Sequence, residues 1–268
     1  MTYAELYSYA KKYLTEYEAM CMTEDILGMN RALLAVHGGK PAEHSGEFLT
    51  AVQKRLSGIP LQYATGKAYF MDRVYFVGEG VLIPRDDTEV VVRECMEHMK
   101  GNEKVIDLCS GSGIIAVTLA KAFPKAEVYA VELENVPYGY LTKNIAYHQA
   151  NVKAIRDSIF NECMEGEFDI IISNPPYIRR EEIPHLQKEV RFEPESALDG
   201  GINGLDFYRC IAEKWVSRLK KGGQIFLEIG EEQAQAVSQL LAVRGITEIG
   251  VVKDIQNLDR VVFGTKQF

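Results

Sequence analysis

The spacing of apolar positions along this chain changes twice. From residue 1 to about 60 they recur at helical intervals, with Leu6, Tyr9, Tyr13, Leu14 and Tyr17 on one stripe. Thr2-x-x-Glu5 has the form of a capping box ahead of that stripe. A second helix is predicted from Thr23 to His37, stopping at Gly38-Gly39. A third turns Phe48, Leu49, Val52 and Leu56 inward and ends at Gly58. Between about 60 and 83 the period drops to two. Tyr69, Phe70, Val74, Tyr75, Phe76 and Val77 flank Asp72-Arg73 and predict a short β-hairpin.

Beyond residue 84, short apolar runs alternate with amphipathic ones. Strands are predicted over Lys104–Leu108, Glu127–Val131, Val152–Arg156, Phe168–Ser173 and Gln224–Ile229. Helices are predicted over Ile114–Phe123, Tyr138–Gln149, Leu205–Lys221 and Glu232–Val243. Two last strands, Ile246–Lys253 and Arg260–Gly264, are expected to pair as an antiparallel edge. This alternation specifies an α/β fold, a seven-stranded mixed sheet with helices on both faces. The expected organisation is a helical bundle over 1–66, a hairpin linker over 67–83 and an α/β domain over 84–268. Ligands in such sheets bind at the carboxyl ends of the strands, where strand order reverses.

Composition narrows the classes. Of 268 residues, 47% are hydrophobic and 25% charged, as in an ordinary globular protein. The net charge of −8, with seven acids against six bases in residues 1–66, argues against a large nucleic-acid footprint. No run approaches the ~20 apolar residues of a membrane span. The polar-aromatic N-terminus lacks the apolar core of a signal peptide. Cysteines 21, 95, 109, 163 and 210 are scattered and form no CxxC pair, so disulfide or metal frameworks are not expected and a cytoplasmic location is. No long exposed apolar helix marks a dimer face, and a monomer is expected.

Candidate chemistry gathers at strand ends. Asp107-Leu-Cys109-Ser110-Gly111-Ser112-Gly113 occupies the first strand-to-helix turn, where glycines admit a ligand close to the backbone. The spacing is neither G-x-G-x-x-G nor a P-loop, which weakens dinucleotide and triphosphate readings. Asp107 suits a cationic ligand. Glu132 ends the second strand, where an acid can hold both ribose hydroxyls, and Asp157 follows the third, placed to accept from an adenine amine. Ile159 can cover the ring. An adenosine with a positive charge and no phosphate is S-adenosylmethionine. Cys109 reads as a small filler rather than a reactive thiol.

After the fourth strand comes Asn174-Pro175-Pro176-Tyr177. Two prolines fix the backbone and remove its donors. The Asn174 amide oxygen and the Pro175 carbonyl then form an acceptor pair, with the Tyr177 ring as a wall. The pair suits a planar NH2 group, either a carboxamide or the exocyclic amine of a base. None of His37, His44, His98, His148 and His185 suits a general base.

With these motifs in order, the chain resembles class I S-adenosylmethionine-dependent methyltransferases of the amino-group branch, and most closely the peptide chain release factor N5-glutamine methyltransferases. Pro60-Leu-Gln-Tyr63…Gly66, Val81-Leu-Ile-Pro84-Arg85-Asp-Asp87-Thr88-Glu89, Phe192-Glu193-Pro194…Ala197-Leu198…Gly200-Gly201…Gly204-Leu205-Asp206…Tyr208 and Leu227-Glu228-Ile229-Gly230 carry the resemblance. Cys109 stands where glycine is usual, Asp86 where proline is typical, and Glu132 where aspartate is common. The resemblance implies a Rossmann-like fold, S-adenosylmethionine as methyl donor and S-adenosylhomocysteine as product. It also implies the Gly-Gly-Gln glutamine of class 1 release factors as acceptor, gripped in part by the helical domain. Asn174, Pro175 and Tyr177 are expected to be catalytic, with Pro176, Arg85 and Glu89 shaping the substrate site. A ribosomal-protein glutamine methyltransferase, a nucleic-acid enzyme acting on adenine N6 or guanine N2, and a cofactor-binding scaffold are the competing readings.

Overall fold

A computed structural model of the chain describes residues 1–161 and 164–267; Cys163, read above with the other cysteines, lies outside them. The N-terminal part is built of α1 (Tyr3–Lys11), α2 (Glu16–Leu27), α3 (Arg31–His37), α4 (Ser45–Leu56) and α5 (Leu61–Thr65). The Thr2/Glu5 capping box is present, and a second joins Thr15 and Glu18 at the start of α2. Leu6, Ala19, Met22, Phe48 and Val52 form the centre of this bundle.

The helix expected over Thr23–His37 is two helices. Gly28 ends α2 in the left-handed conformation (φ 66°), and Asn30 caps α3 through its side chain. Leu56, expected to face inward, is 43% exposed at the last turn of α4. The hairpin forms as expected, with β1 (Lys67–Phe70) and β2 (Arg73–Phe76) antiparallel. Met71 and Asp72 both take positive φ (48° and 60°), the two-residue turn that matches strand twist.

The α/β part contains α6 (Thr88–His98), β3 (Lys104–Leu108), α7 (Ile114–Ala122), β4 (Glu127–Glu132), α8 (Asn135–His148), β5 (Val152–Arg156) and β6 (Phe168–Ser173). It continues with α9 (Asp206–Cys210), β7 (Leu219–Glu228), α10 (Ala234–Ala242), β8 (Ile246–Lys253) and β9 (Asp259–Lys266). Strand order is β5-β4-β3-β6-β7-β9-β8, parallel except for β9. Successive residues of β3 face opposite layers. Ile106 and Leu108 pack with Tyr208, Trp215 and Val237, whereas Val105 packs with Val92, Ile115 and Leu119.

Two elements differ from those expected. The helix α6 was not anticipated from the sequence. The helix expected over Leu205–Lys221 runs from α9 through a π turn (Ile211–Trp215) and a 3-10 turn (Val216–Arg218), then stops. Leu219 already pairs with Phe168, and Lys220 Nζ meets Asp169 Oδ1 at 2.7 Å, so the polar run Lys220-Lys221 belongs to β7.

Candidate active site

Chain order turns back between β3 and β6: the sheet first grows outward through β4 and β5, then resumes on the other side of β3. The carboxyl ends of β3 and β6 therefore flank the crevice where this class of sheet binds ligands. The loop after β3 carries the positive-φ residues Cys109, Gly111 and Gly113. At Gly113 a Cβ would strike Leu141 on α8, so only glycine lets helix and loop approach this closely. Cys109 takes φ 60° without being glycine, a locally strained backbone.

Glu132 ties this loop to β4. Its Oε2 accepts from the Gly111 amide and its Oε1 from the Glu134 amide, both at 2.8 Å. Burial pushes its pKa up, and the amides pull it back. Asp157 stands after β5, where its Oδ1 accepts from Asn161 Nδ2 (2.8 Å) and the Ser158 amide (2.7 Å). Those donors hold its carboxyl below the usual range. The Ile159 side chain is 4% exposed, and its carbonyl accepts from the Trp215 indole at 2.9 Å.

Cys109, Gly111, Glu132, Asp157, Ile159 and Asn174 share the wall of one cavity of about 270 Å³. Glu132, Glu134, Asp157 and Asp199 are the ionisable carboxylates on that wall, and among the described residues no Lys, Arg or His lines it. Asp107, Ser110, Ser112 and Gly113 do not reach it. Asp107 faces inward from β3 and is 0% exposed, with neither carboxylate oxygen hydrogen-bonded. Burial pushes it up to about 8, tempered by the nearby Ser110 hydroxyl and Ala116 amide. Ser110 Oγ donates to the Asp107 carbonyl at 2.9 Å, and the Ser112 carbonyl accepts from Asn144 at 2.9 Å. Ser110 and Ser112 thereby brace the loop from within.

A second cavity, of about 310 Å³, adjoins the first. Its wall includes Arg85, Pro175, Tyr177, Gln187 and Glu228, and it shares Leu82, Asn174 and Ala197 with the first. Asn174 Nδ2 donates to Thr88 Oγ1 at 2.9 Å, which leaves Oδ1 as its acceptor. Pro176 lines the first cavity instead of the second. Arg85 pairs with the buried Glu193 at 2.5 Å. Glu89, expected at the substrate site, is placed elsewhere. Its carboxylate accepts from the Met71 amide (2.9 Å) and Arg93 (2.7 Å), anchoring the hairpin turn to α6. None of the five histidines lines either cavity.

Backbone packing fixes Asn174-Pro175-Pro176-Tyr177 from below. Ile178 N donates to the Leu198 carbonyl and Gly200 N to the Ile178 carbonyl, both at 2.9 Å. A Cβ on Gly200 would lie 2.7 Å from Tyr177 Cα and 2.9 Å from the Pro176 carbonyl oxygen. The glycines of this segment thus serve close backbone contact. Thr88 and Glu228, given no role in the sequence reading, also belong to the site. Glu228 sits in the apolar run Gln224–Ile229, and a carboxylate inside a buried strand is itself a signal of function.

Strand order, the glycine loop and the adjoining paired cavities define a Rossmann-like class I methyltransferase. A methyltransferase from Pyrococcus furiosus superimposes with TM-score 0.55 over 83% of this chain and 98% of its own, at 18% identity. The 16S rRNA N2 G1207 methyltransferase of Thermus thermophilus does so with TM-score 0.53 over 75% and 50%, at 19% identity. Both likenesses establish the fold alone. The family model "Methyltransferase small domain" matches residues 86–192, and "PrmC N-terminal domain" matches residues 5–66. Release factor glutamine methyltransferases are much nearer in sequence. That of Thermodesulfovibrio yellowstonii is 40% identical over 82% of this chain and 81% of its own, and that of Geobacter sulfurreducens 39% over 89% and 85%. That of Neisseria gonorrhoeae is 35% identical over 98% and 97%. The chain belongs to the release factor glutamine methyltransferase family.

Proposed function

We propose that this chain methylates N5 of the glutamine in the Gly-Gly-Gln loop of class 1 peptide chain release factors, with S-adenosylmethionine as donor. The observation that carries the reading is the position of Asn174, on the shared wall of both cavities. The first cavity fits the donor chemically. A wall that carries four carboxylates and no basic side chain among the described residues favours a cationic, phosphate-free nucleoside over a nucleotide. Glu132 would hold the ribose hydroxyls, Asp157 the adenine amine, and Ile159 the face of the ring. When bound, the donor supplies a methyl group made electrophilic by its sulfonium.

An amide nitrogen is a weak nucleophile because its lone pair is delocalised into the carbonyl. Asn174 Oδ1 and the Pro175 carbonyl accept its two N–H bonds and aim the nitrogen at the first cavity. Proline at 175 and 176 keeps these acceptors rigid, so little reorganisation accompanies the reaction. Tyr177 walls the amide plane, and Arg85, held by Glu193, lines the same cavity. Orientation supplies most of the acceleration. No general base is needed before transfer, because an N-methylated, protonated amide loses its proton readily to water. Residues 1–66 we assign to gripping the rest of the release factor, and residues 84–268 to the chemistry.

The test is transfer of labelled methyl from S-adenosylmethionine to a purified release factor. A factor with the loop glutamine replaced should stay unlabelled while the parent factor is labelled at that residue. Equal labelling of both would refute the assignment.

A further inference from the structure

Asn174 can act as described only if its oxygen, and not its NH2 group, faces the substrate amide. The two ends of a carboxamide have nearly the same shape, so packing alone does not choose between them. Resting on the function proposed above, we propose that Thr88 and Glu228 are positioning residues that lock the Asn174 amide with its oxygen toward the acceptor cavity.

The geometry is local and buried. Thr88, the first residue of α6, and Glu228, the last of β7, are each 1% exposed. Asn174 Nδ2 donates to Thr88 Oγ1 at 2.9 Å. The Thr88 hydroxyl lowers the Glu228 pKa but completes no hydrogen bond to either carboxyl oxygen, and Oε2 has no partner at all. Glu228 Oε1 accepts weakly from the Tyr177 hydroxyl at 3.4 Å, and the Glu228 backbone carbonyl accepts from Tyr208 at 2.9 Å.

A hydroxyl has one hydrogen to give. While Glu228 is a carboxylate, that hydrogen is drawn toward it, and the Thr88 lone pairs are left for Asn174 Nδ2. Protonated Glu228 instead offers its own hydrogen to Thr88, and the Thr88 hydrogen becomes free to attract Asn174 Oδ1. The amide then loses its preferred orientation. Other charged groups around Glu228 are Arg260 from β9, which lowers its pKa, and Asp87 beside α6, which raises it. These two face each other at 3.6 Å. Burial outweighs the rest and places Glu228 at about 7, so the lock releases on acidification within the working range of an enzyme.

Steady-state methylation of a release factor by the full chain tests this. Thr88→Val keeps shape and removes the hydroxyl, and kcat should fall about tenfold, the worth of one hydrogen bond of ~1.4 kcal/mol. Binding of S-adenosylhomocysteine, read by calorimetry, should stay within about twofold by the same argument, since Thr88 is absent from that cavity. Thr88→Ser restores a hydroxyl and should recover most of the lost rate. The parent kcat should rise with pH to a plateau through an inflection near 7, and Glu228→Gln should abolish that inflection. A Thr88→Val enzyme with the parent kcat, equal losses in Thr88→Val and Thr88→Ser, or an inflection surviving in Glu228→Gln would each overturn the proposal. Failure of the parent enzyme to label the factor would instead refute the function proposed above.

Discussion

Asp107→Asn should make the cofactor-free protein more stable at neutral pH, and the gain should grow with pH. Asp107 is wholly buried, has no hydrogen-bond partner on either oxygen and is pushed by burial up to about 8, against an ordinary 3.8. A raised carboxyl pKa means that the folded state binds the proton more tightly than the unfolded one. The associated stability is complete below pH ~4 and is lost progressively as pH rises toward 8. At pH 7 the loss is roughly 4 kcal/mol, from 2.303RT times the separation of pH 7 from the unfolded value. Asparagine removes this loss but buries an NH2 group without acceptors, at a cost of ~1–3 kcal/mol. A net gain of ~1–3 kcal/mol at pH 7 is expected, widening by about 2 kcal/mol between pH 6 and pH 8. The assay is urea unfolding followed by fluorescence of Trp215, the sole tryptophan and 3% exposed in the α/β core. Taking the difference between variant and parent cancels the titration of Glu132, Glu193 and Glu228, which both proteins share. Parallel stability curves from pH 6 to 8 would refute the reasoning.

Asn174→Ala should lower kcat by ~10²–10³-fold, the loss of one preorganised polar group, while calorimetric affinity for S-adenosylhomocysteine changes only a few-fold. Gly200→Ala should push back the Pro176-Tyr177 backbone, since its Cβ would lie 2.7 Å from Tyr177 Cα. A stability loss of ~1–3 kcal/mol in denaturation and at least a tenfold fall in kcat are expected. Cys109 holds φ 60°, so Cys109→Gly should keep thermal stability within ~1 kcal/mol of the parent, and Cys109→Val should lose ~2 kcal/mol more than glycine does.

The elements most legible in the sequence are those whose local pattern and tertiary role agree. Lys104–Leu108 and Phe168–Ser173 are strands with the expected ends, because short apolar runs between turn residues are what a covered parallel sheet requires, and Val152–Arg156 has its expected ends as an edge strand with no fully buried residue. The N-terminal helices depart from their expected bounds where two residues decide the matter. Gly28 and Asn30 end one helix and start the next within the stretch expected as one helix. The site shows the same division. Strand ends bring Glu132, Asp157 and Asn174 to the cavities, and the parallel pairing of those strands is what the alternating pattern foretells. Whether a loop side chain lines a cavity or supports it from behind depends on backbone direction over one or two residues, as Cys109 and Asp107 show. Thr88, Asn174 and Glu228 come from α6, the turn after β6 and the end of β7. No spacing rule joins residues so far apart in the chain. What the sequence does offer is the anomaly of an ionisable group in an apolar strand, and burial raises the pKa of this one toward neutrality. A carboxyl kept there against its desolvation cost beside the Asn174 partner is expected to act on that amide rather than on the stability of the sheet.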